Sequence, residues 1–526
     1  MFFAASSVVR FCPVSLGFPQ KNWLKPALTG LNLHIMMLLI SQPAISRIRH
    51  CNHSQCSVQG TTSLTAHGRS RTVPGELLRM RASSFSEIRA GAKRPGFASL
   101  LVVSCLQLLC LLTITLAAPA QTIGNHPAIY DAHGTLLPWT PWRDAIEREV
   151  NWYLKCPIEH GYPRFVYTTF MDGNYEPLAE NATFIPATQD GMGIISYLKY
   201  YAWQGKKDPR VLQIARYMGD YLVKEGNTPD EGKYPRFSRS TGWRGKFPQP
   251  PDCGSQGDKP YEIQPDKGGI AGYALVLLYE ETRDDKYLRQ AVQNARVLAA
   301  NMVEGTATNS PWPFRADYRT GAGRDGVSGN MSFILRLFDK LIELDRKEFQ
   351  MPRERLWHWI KNFQLPNLDK DGMLWAQFFE DHAEPDNLTA WAPLNLARYL
   401  LEKKEALDPD WRKDSMALIT FTNNRFTRIQ DGVLICGEQT HDREPWGGIL
   451  STYGAVLAMY VKATGSNQFK GLAYQALNYC LYAVNDDGCP GQQASGPGRG
   501  GWQEDAHTDK LHNILDAIAA FPEWAK

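Results

Sequence analysis

Paired amphipathic helices recur along most of this chain, and this repeat constrains its fold more than any other feature. One segment carries its apolar and small residues on a single helical face with about 3.6 residues per turn, namely Leu212, Ala215, Met218, Tyr221 and Leu222. It begins at Asp208-Pro209, where an aspartate can cap a free backbone N–H and a proline loses no hydrogen bond. The same pattern predicts twelve helices, with cores near residues 141–154, 190–204, 209–224, 267–282, 285–303, 329–345, 352–363, 388–403, 409–424, 447–464, 467–484 and 508–521.

The predicted helices are of two alternating kinds. Every second helix begins with small residues that permit close packing, as in Lys267-Gly-Gly-Ile-Ala-Gly272. The helices between them carry a charged face, as at Arg289, Gln293 and Arg296. One hairpin of such helices cannot bury its apolar face alone, so a repeat of about 60 residues predicts a closed array. We therefore predict an all-α fold, an (α/α)6 toroid of six helical hairpins with short β-hairpins in the loops at one end.

This arrangement, over residues 140–526, resembles the six-hairpin glycosidase-like superfamily. The resemblance rests on the hairpin repeat and on recurring connections, which are Gly161-Tyr-Pro-Arg-Phe165, Lys233-Tyr-Pro-Arg-Phe237, Ser310-Pro-Trp-Pro-Phe314 and the Asp-Gly turns at 371, 431 and 487. It implies a carbohydrate-processing enzyme, since members include glycoside hydrolases, unsaturated uronyl hydrolases, polysaccharide lyases and sugar epimerases. Terpenoid cyclases and some protein prenyltransferases share the double ring, but the sequence has no DDxxD-like motif or zinc-ligand set.

The first 98 residues differ in composition from the rest of the chain. They carry twelve Lys or Arg against two acidic residues and show no sustained helical or strand period, so we predict a disordered basic extension. Translation from Met80 would leave residues 1–79 outside the protein.

Residues 99–120 are expected to be a signal peptide. An uncharged apolar run follows Arg89, Lys93 and Arg94 and ends in Ala118-Pro119-Ala120, a basic, apolar and small-residue order typical of secretory signals. A membrane anchor is the alternative, since about 20 apolar residues can span a bilayer. Cleavage would release a barrel domain of residues 121–526 into the periplasm or the cell exterior, and contact with a membrane is expected only if the segment stays uncleaved.

The charge of residues 121–526 argues against a nucleic-acid partner. This part carries 45 basic and 52 acidic side chains, a mildly acidic balance. Its five cysteines lack CxxC or Cys/His spacing, so one disulfide is plausible and a zinc site is not. We expect no metal and no cofactor, because the sequence has no HExxH or EF-hand loop and its glycine-rich tract at 491–501 lacks the Lys-Ser/Thr of a phosphate loop.

The long connections all lead from an outer to an inner helix, so one end of the barrel should carry the binding groups. An acidic residue precedes or begins each inner helix: Asp190, Asp266, Asp325, Asp386, Glu444 and Asp509. Each can act as a helix cap worth about 0.5–2 kcal/mol. Two loops, GEQTHDREPWGG and WQEDAHTDK, contain more acids than capping needs. Glycoside hydrolysis requires two carboxylates, and we predict that they come from Asp190, Glu438, Asp442 and Asp505.

Histidines in the same loops allow a different reaction. His441 and His507 can act as general bases in β-elimination from a uronic acid, with Tyr167, Tyr261 or Tyr453 as the acid and Arg236, Arg239, Arg244 or Arg324 binding the substrate carboxylate. The sequence thus leaves hydrolysis, elimination by a polysaccharide lyase and sugar epimerisation open.

Aromatic residues beside these loops point to an oligo- or polysaccharide partner, because the apolar faces of sugar rings stack on indoles. We predict that substrate is bound by Trp243, Trp391, Trp446 and Trp502, with Arg236 and Asp266, while Trp312 and Trp375 occupy similar loop positions. A non-catalytic glycan-binding protein is a further alternative, but it would need the aromatics without two clusters of crowded carboxylates.

Overall fold

The computed structural model describes residues 121–178, 183–254, 257–368, 370, 372–375, 387–441, 443–491, 498–503 and 507–526. The predicted basic extension and the apolar segment at 99–120 lie outside these residues. Among the helices within the described ranges, none is both long and apolar enough to cross a membrane.

Twelve α-helices are present in the described part of the chain, and each overlaps one of the predicted cores. Their bounds are α1 Trp142–Tyr153, α2 Pro186–Trp203, α3 Pro209–Lys224, α4 Pro265–Thr282, α5 Asp285–Ala300, α6 Ser332–Glu343, α7 Gln350–Trp359, α8 Trp391–Lys403, α9 Trp411–Phe426, α10 Gly447–Thr464, α11 Lys470–Leu481 and α12 Asp509–Ala520. The even-numbered helices form an inner ring, because each packs against the next and α12 packs against α2. The odd-numbered helices lie outside it. The predicted (α/α)6 toroid is confirmed.

Burial distinguishes the two rings. Helix α10 is buried along nearly its whole length, since it has ring neighbours on two sides and α11 behind it. Helix α3 instead buries one face, through Val211, Ile214, Ala215 and Met218. The amphipathic pattern therefore belongs to the outer helices, and the near-continuous apolar pattern to the inner ones.

Glycines let the inner helices approach closely. A Cβ placed on Gly191 of α2 would lie 2.9 Å from Ile270 Cγ2 of α4. A Cβ on Gly269 of α4 would lie 2.6 Å from Ile334 Cγ1 of α6 and 3.0 Å from its backbone nitrogen. The small residues that begin these helices are thus required by the spacing of the ring.

Short antiparallel strands occupy the loops of the described residues. They are β1 Thr122–Ile123, β2 His126–Pro127, β3 Ile129–Tyr130, β4 Leu136–Leu137, β5 Ile158–Glu159, β6 Tyr162–Pro163, β7 Phe170–Asp172, β8 Thr183–Phe184, β9 Gly242–Trp243, β10 Glu262–Ile263, β11 Arg315–Asp317, β12 Gly323–Arg324, β13 Thr427–Gln430, β14 Val433–Cys436 and β15 Gly500–Trp502. The pair β7–β15 joins the loop after α1 to the loop before α12. It thereby links the first hairpin to the last.

The five cysteines of residues 121–526 are buried and unpaired, so the plausible disulfide is not formed in this structure. Burial raises the thiol pKa of Cys156 and Cys489 to about 11 and that of Cys480 to about 12. These thiols stay protonated at neutral pH and are therefore poor nucleophiles.

The close contact of α4 with α6 predicts opposite effects for two matched substitutions. Gly269→Ala should lower the free energy of unfolding by about 1–3 kcal/mol, because its Cβ overlaps Ile334. Gly471→Ala on α11 should raise it by up to about 1 kcal/mol, since a Cβ there meets nothing within 4 Å and alanine favours the helix. Urea unfolding of the two variants checks this. Changes of the same sign would contradict the tight inner packing.

Candidate active site

Polar side chains from non-neighbouring inner helices meet inside the ring. Arg398 of α8 donates a hydrogen bond to Asn513 Oδ1 of α12, and its Nη1 lies 3.5 Å from Asp516 Oδ2 of the same helix. Helices α8 and α12 are separated in the ring by α10, so these contacts cross its interior. Asn513 also donates to Ser451 Oγ and Thr452 Oγ1 of α10, each at 2.9 Å. The axis of the ring is therefore lined by hydrogen-bonded and charged groups.

Helical spacing explains why these groups share the axis. Residues three, four or seven positions apart occupy one helical face. On α8 this face carries Trp391, Asn395, Arg398 and Glu402. The stripe runs from the N-terminus of the helix, which bears the long loops, towards the opposite end. It places an indole at the mouth, an amide and a guanidinium below it, and a carboxylate at the base.

His512 of α12 lies in this interior and is 3% exposed. The Ser196 hydroxyl donates to the Thr508 carbonyl, and it lies 3.2 Å from His512 Nδ1. Because the single hydroxyl proton is used in that bond, Nδ1 carries the imidazole proton and donates to Ser196, which leaves the lone pair on Nε2. No hydrogen bond to Nε2 is formed by the residues that the structure describes. Nε2 is therefore available as a proton acceptor.

The charge state of His512 follows from its surroundings. Burial lowers its pKa well below the usual value for histidine, and the positive charges of Arg398 and Lys199 lower it further, against the opposing effect of Asp516. Lys199 lies 2.5 Å from Asp516 Oδ1 and so belongs to the same network. The imidazole is therefore neutral at neutral pH, the form that can accept a proton.

Two residues predicted at the site, Glu438 and Trp391, are brought together at the mouth of the ring. The indole Nε1 of Trp391 donates to Glu438 Oε1 at 2.6 Å, and the backbone N–H of Ala390 donates to the Glu438 carbonyl at 2.9 Å. Glu438 is 6% exposed. The loop between β14 and α10 thus holds its carboxylate at the beginning of α8.

Asp190 lies elsewhere. Its side chain is fully buried, and neither carboxyl oxygen has a hydrogen-bond partner among the residues that the structure describes. The carboxyl group is close enough to Tyr162 and to Tyr221 of outer helix α3 to act on them electrostatically, so it lies near the outer ring. Burial raises its pKa well above the usual value. The structure therefore does not unite Asp190 with Glu438, because a carboxyl group in the first turns of an inner helix can face outward as easily as inward.

His507, predicted as a base, is also withdrawn from solvent. Its Nε2 lies 2.7 Å from the Tyr197 hydroxyl, its Nδ1 lies 3.3 Å from Glu149 Oε1, and its ring stacks on Tyr153 at 3.7 Å. Glu149 also pairs with Lys510 Nζ at 2.9 Å. These residues come from α1, α2 and the start of α12, so His507 closes the seam between the first and last hairpins. Both ring nitrogens of His507 face side chains of this seam, so its contacts in this structure are structural ones.

The remaining predicted acids and bases are distributed differently. His441 is exposed, and its backbone N–H donates to Asn387 Oδ1 at 3.2 Å. Asp442 and Asp505 lie outside the described residues. Asp266, in the first turn of α4, is 1% exposed.

The predicted tryptophans occupy several environments. Trp243, on β9, is 37% exposed at the loop end of the molecule. Trp446 is half-buried at the residue before α10, whereas the Trp502 side chain lies outside the described parts. Trp312 and Trp375 are fully buried. Loop position alone therefore does not separate sugar-binding indoles from core indoles.

The arginines predicted to bind a substrate carboxylate mostly form hydrogen bonds and ion pairs with loop residues. Arg236 pairs with exposed Asp230 at 3.3 Å, and its carbonyl accepts a bond from Gln290 of outer helix α5. Arg239 donates to two backbone carbonyls of its own loop, and Arg324 pairs with Glu262 at 2.5 Å. Arg236 thus lies against the outer ring, away from the axis.

Sequence reasoning missed Asn395, Arg398 and His512. The predicted site residues came from the loops, whereas these three residues lie inside helices whose other faces are apolar. The signal was present as polar residues at helical spacing within otherwise buried helices, in Asn395, Arg398 and Glu402 and again in Asp509, His512, Asn513 and Asp516. Within the described ranges, no cluster of three or more His, Cys, Asp or Glu side chains is arranged to hold a metal ion.

The burial of Asp190 predicts a pH-dependent stability. Between the unfolded pKa of about 4 and the raised folded value, the folded state binds one proton more, so stability falls as pH rises. Asp190→Asn should therefore raise the melting temperature at pH 8, and the gain should shrink as pH approaches 4. Thermal unfolding at pH 4.5, 6 and 8 tests this. A loss at pH 8 would mean that Asp190 is ionised and paired.

Asp339→Asn is the control of opposite sign. Burial alone would raise the pKa of Asp339, but hydrogen bonds from Tyr399 and Arg353 hold it below the usual value. Its stabilisation is present above the unfolded pKa and is lost as pH falls. This variant should therefore lose stability at pH 8, 6 and 4.5 alike, and should approach the parent only as the pH falls below about 4.

The chain was compared with known proteins. No family model and no curated protein matches it. Solved structures do match: D-mannose isomerase (TM-score 0.55, 10% identity, 72% of this chain and 97% of that one), cellobiose 2-epimerase from Bacillus thermoamylovorans B4167 (0.54, 11%, 72% and 98%) and a sugar epimerase from a ruminal bacterium (0.53, 11%, 72% and 97%). At these identities the likeness concerns the fold. The chain shares the (α/α)6 fold of these solved structures.

Proposed function

We propose that this protein is a carbohydrate-active enzyme that binds a sugar at the axis of the inner ring and interconverts it by proton transfer beside a carbonyl group, as an epimerase or isomerase does. The observation that carries the proposal is His512, a neutral imidazole with an unbonded Nε2, next to Arg398 inside the ring. Removal of a proton next to a carbonyl requires a base that accepts the proton and a cation that stabilises the negative charge on the carbonyl oxygen.

The reaction needs two functions from these residues. Nε2 of His512 takes the proton from the carbon next to the carbonyl of the open-chain sugar, and the C–H electron pair moves to the carbonyl oxygen as an enolate. Arg398 Nε is buried without a hydrogen-bond partner, so it can donate to this oxygen. Return of the proton to the opposite face of the same carbon gives the epimer. Return to the former carbonyl carbon, with the proton of the neighbouring hydroxyl passing to the former carbonyl oxygen, gives the isomer. Ser196 holds the imidazole in the required tautomer.

The comparisons support the class of reaction. The three solved structures reported above are described as a D-mannose isomerase, a cellobiose 2-epimerase and a sugar epimerase. Each matches over 72% of this chain and nearly all of its own length. The same fold around an interior lined with a base and a guanidinium is consistent with related chemistry here.

Hydrolysis is the second candidate, and Glu438 favours it. Its carboxylate lies at the mouth of the ring beside Trp391, as a glycoside hydrolase or unsaturated-uronyl hydrolase would need for an acid/base group next to a sugar platform. A second carboxylate is required, and Asp442 is in the same loop of the sequence. In this reading the substrate is an oligo- or polysaccharide.

The proposed location of the enzyme is outside the cytoplasm. The basic, apolar and small-residue order that ends at Ala120 supports cleavage of a signal peptide and secretion. The mature enzyme would then begin near the first described residue.

Deuterium exchange separates the two reactions. The full chain is incubated in D2O with mannose, glucose, cellobiose and a set of polysaccharides, and NMR follows deuterium entry at C2 and the appearance of new sugars. Epimerase or isomerase activity predicts deuterium at C2 and no cleavage. His512→Gln should lower this rate by about 100-fold or more, whereas Glu438→Gln should reduce it far less. Chain cleavage that depends on Glu438 and not on His512 would overturn the proposal in favour of hydrolysis.

The proposed base also predicts a shift in the pH profile. Because Lys199 lowers the pKa of His512, Lys199→Met should raise that pKa and move the acidic limb of kcat/KM to higher pH. The parent should lose activity only well below pH 6.5. Lys206→Met, which removes an exposed lysine paired with Glu281 on the surface, is the matched control and should leave the profile unchanged. An unchanged profile in Lys199→Met would remove His512 as the titrating base.

A further inference from the structure

Arg336 of α6 has one unused edge. The residue is 7% exposed, and its Nη1 donates to Glu402 of α8. Its Nε and Nη2 are buried and form no hydrogen bond of ordinary length with the residues that the structure describes, although the Tyr273 phenol lies beside the guanidinium. These two nitrogens form the side of the guanidinium that can donate two parallel bonds to one carboxylate. A buried cation with this edge unoccupied is costly unless a ligand fills it.

Three aromatic rings lie around the guanidinium. Its central carbon lies 5.8 Å from the centre of the Tyr273 ring, 5.7 Å from Phe333 and 5.5 Å from Tyr399. Burial raises the pKa of the Tyr273 phenol, and the charge of Arg336, whose guanidinium is within reach of the phenol oxygen, opposes this effect. The rings keep the guanidinium in place and shield it from bulk water, which strengthens an interaction with an anion.

Further unpartnered groups lie on the same faces of α6 and α8. Ser332 stands one helical turn before Arg336, and Asn395 stands two turns before Glu402, the partner of Arg336. The hydroxyl of Ser332 and the amide nitrogen of Asn395 are buried and have no hydrogen-bond partner within the described ranges, and both residues are less than 4% exposed. Asn330, just before α6, has an unpartnered amide oxygen. Donors thus predominate on this side of the axis.

The acids near these cations are already engaged. Glu402 accepts from Arg336, and Asp516 pairs with Lys199 and lies beside Arg398. Asp509 also acts on Arg398 electrostatically. The acids therefore balance the cations without occupying the Nε/Nη2 edge of Arg336.

We propose that Arg336 is the specificity residue of the axis site and binds the carboxylate of a sugar acid. The proposal rests on the proposed function, since it names the substrate class of that site. The carboxylate accepts two bonds from Arg336 Nε and Nη2, and its remaining lone pairs accept from Asn395 and Ser332. It can satisfy all these donors because it brings no proton of its own.

Calorimetric titration of the full chain tests this with three probes: D-glucuronate, D-glucose and D-glucose 6-phosphate. Glucuronate should bind at least tenfold more tightly than glucose. Arg336→Lys keeps the positive charge but removes the two-donor edge, so it should abolish this preference. Tighter binding of the phosphate than of glucuronate, or equal binding of glucose and glucuronate by the parent, would overturn the proposal.

Arg353→Lys is the matched control. Arg353 is also a largely buried arginine, but it lies on outer helix α7, where it pairs with Asp339 at 2.9 Å and donates to Tyr399. This variant should keep the preference for glucuronate. If both lysine variants lose it together with their melting temperature, the effect is structural and the assignment of Arg336 is overturned.

The outcome is distinguishable from that of the proposed function. Binding of glucuronate through Arg336 without deuterium exchange at C2 would contradict the proton-transfer reaction and support the carboxylate site. Deuterium exchange on neutral sugars that is unaffected by Arg336→Lys would support the reaction and contradict the carboxylate site at Arg336.

Discussion

The close approach of the inner helices is the constraint on which this structure depends. Gly191 and Gly269 stand where a side chain would collide with the neighbouring helix. This spacing draws six parallel helices around one axis and brings α8 and α12, which are not neighbours, into direct contact through Arg398 and Asn513. The interior is therefore a place where groups from distant parts of the sequence act on one another.

The charged groups inside the inner ring affect the protonation of His512. Arg398 and Asp516 are largely removed from water, so their interaction with each other and their effects on His512 are stronger than at a surface, and the half-buried Lys199 adds its charge to the same network. Burial, assisted by the cations, keeps His512 unprotonated, and Ser196 determines which nitrogen carries its proton. The inner ring therefore sets the protonation state, whereas a loop brings Glu438 to the mouth, where it meets Trp391 at the start of α8.

The sequence predicted the architecture well because helical period, helix starts and small residues are local signals. It also predicted Trp391 and Glu438, which meet. It did not predict the direction of Asp190, since a shift of one residue turns a side chain by about 100° around a helix and sends the carboxyl group towards Tyr221. His507 was predicted as a base because it lies in a polar loop, but tertiary contacts with Glu149 and Tyr153 place it in the seam. His512 was missed because the polar spacing on α12 does not by itself reveal which residues of other helices it meets, and its contacts with Ser196 and the influence of Arg398 arise only in the closed ring.

The seam between the first and last hairpins has a consequence for biogenesis. Strand β7 pairs with β15, and His507 joins Glu149, across more than 300 residues of chain. During synthesis or export the middle hairpins can assemble as soon as they emerge, whereas the circle cannot be completed until the final 30 or so residues arrive. An unfinished chain would expose the edges of an open arc at both of its ends. A chaperone that recognises apolar surface would find these edges for as long as the carboxyl-terminal segment is absent.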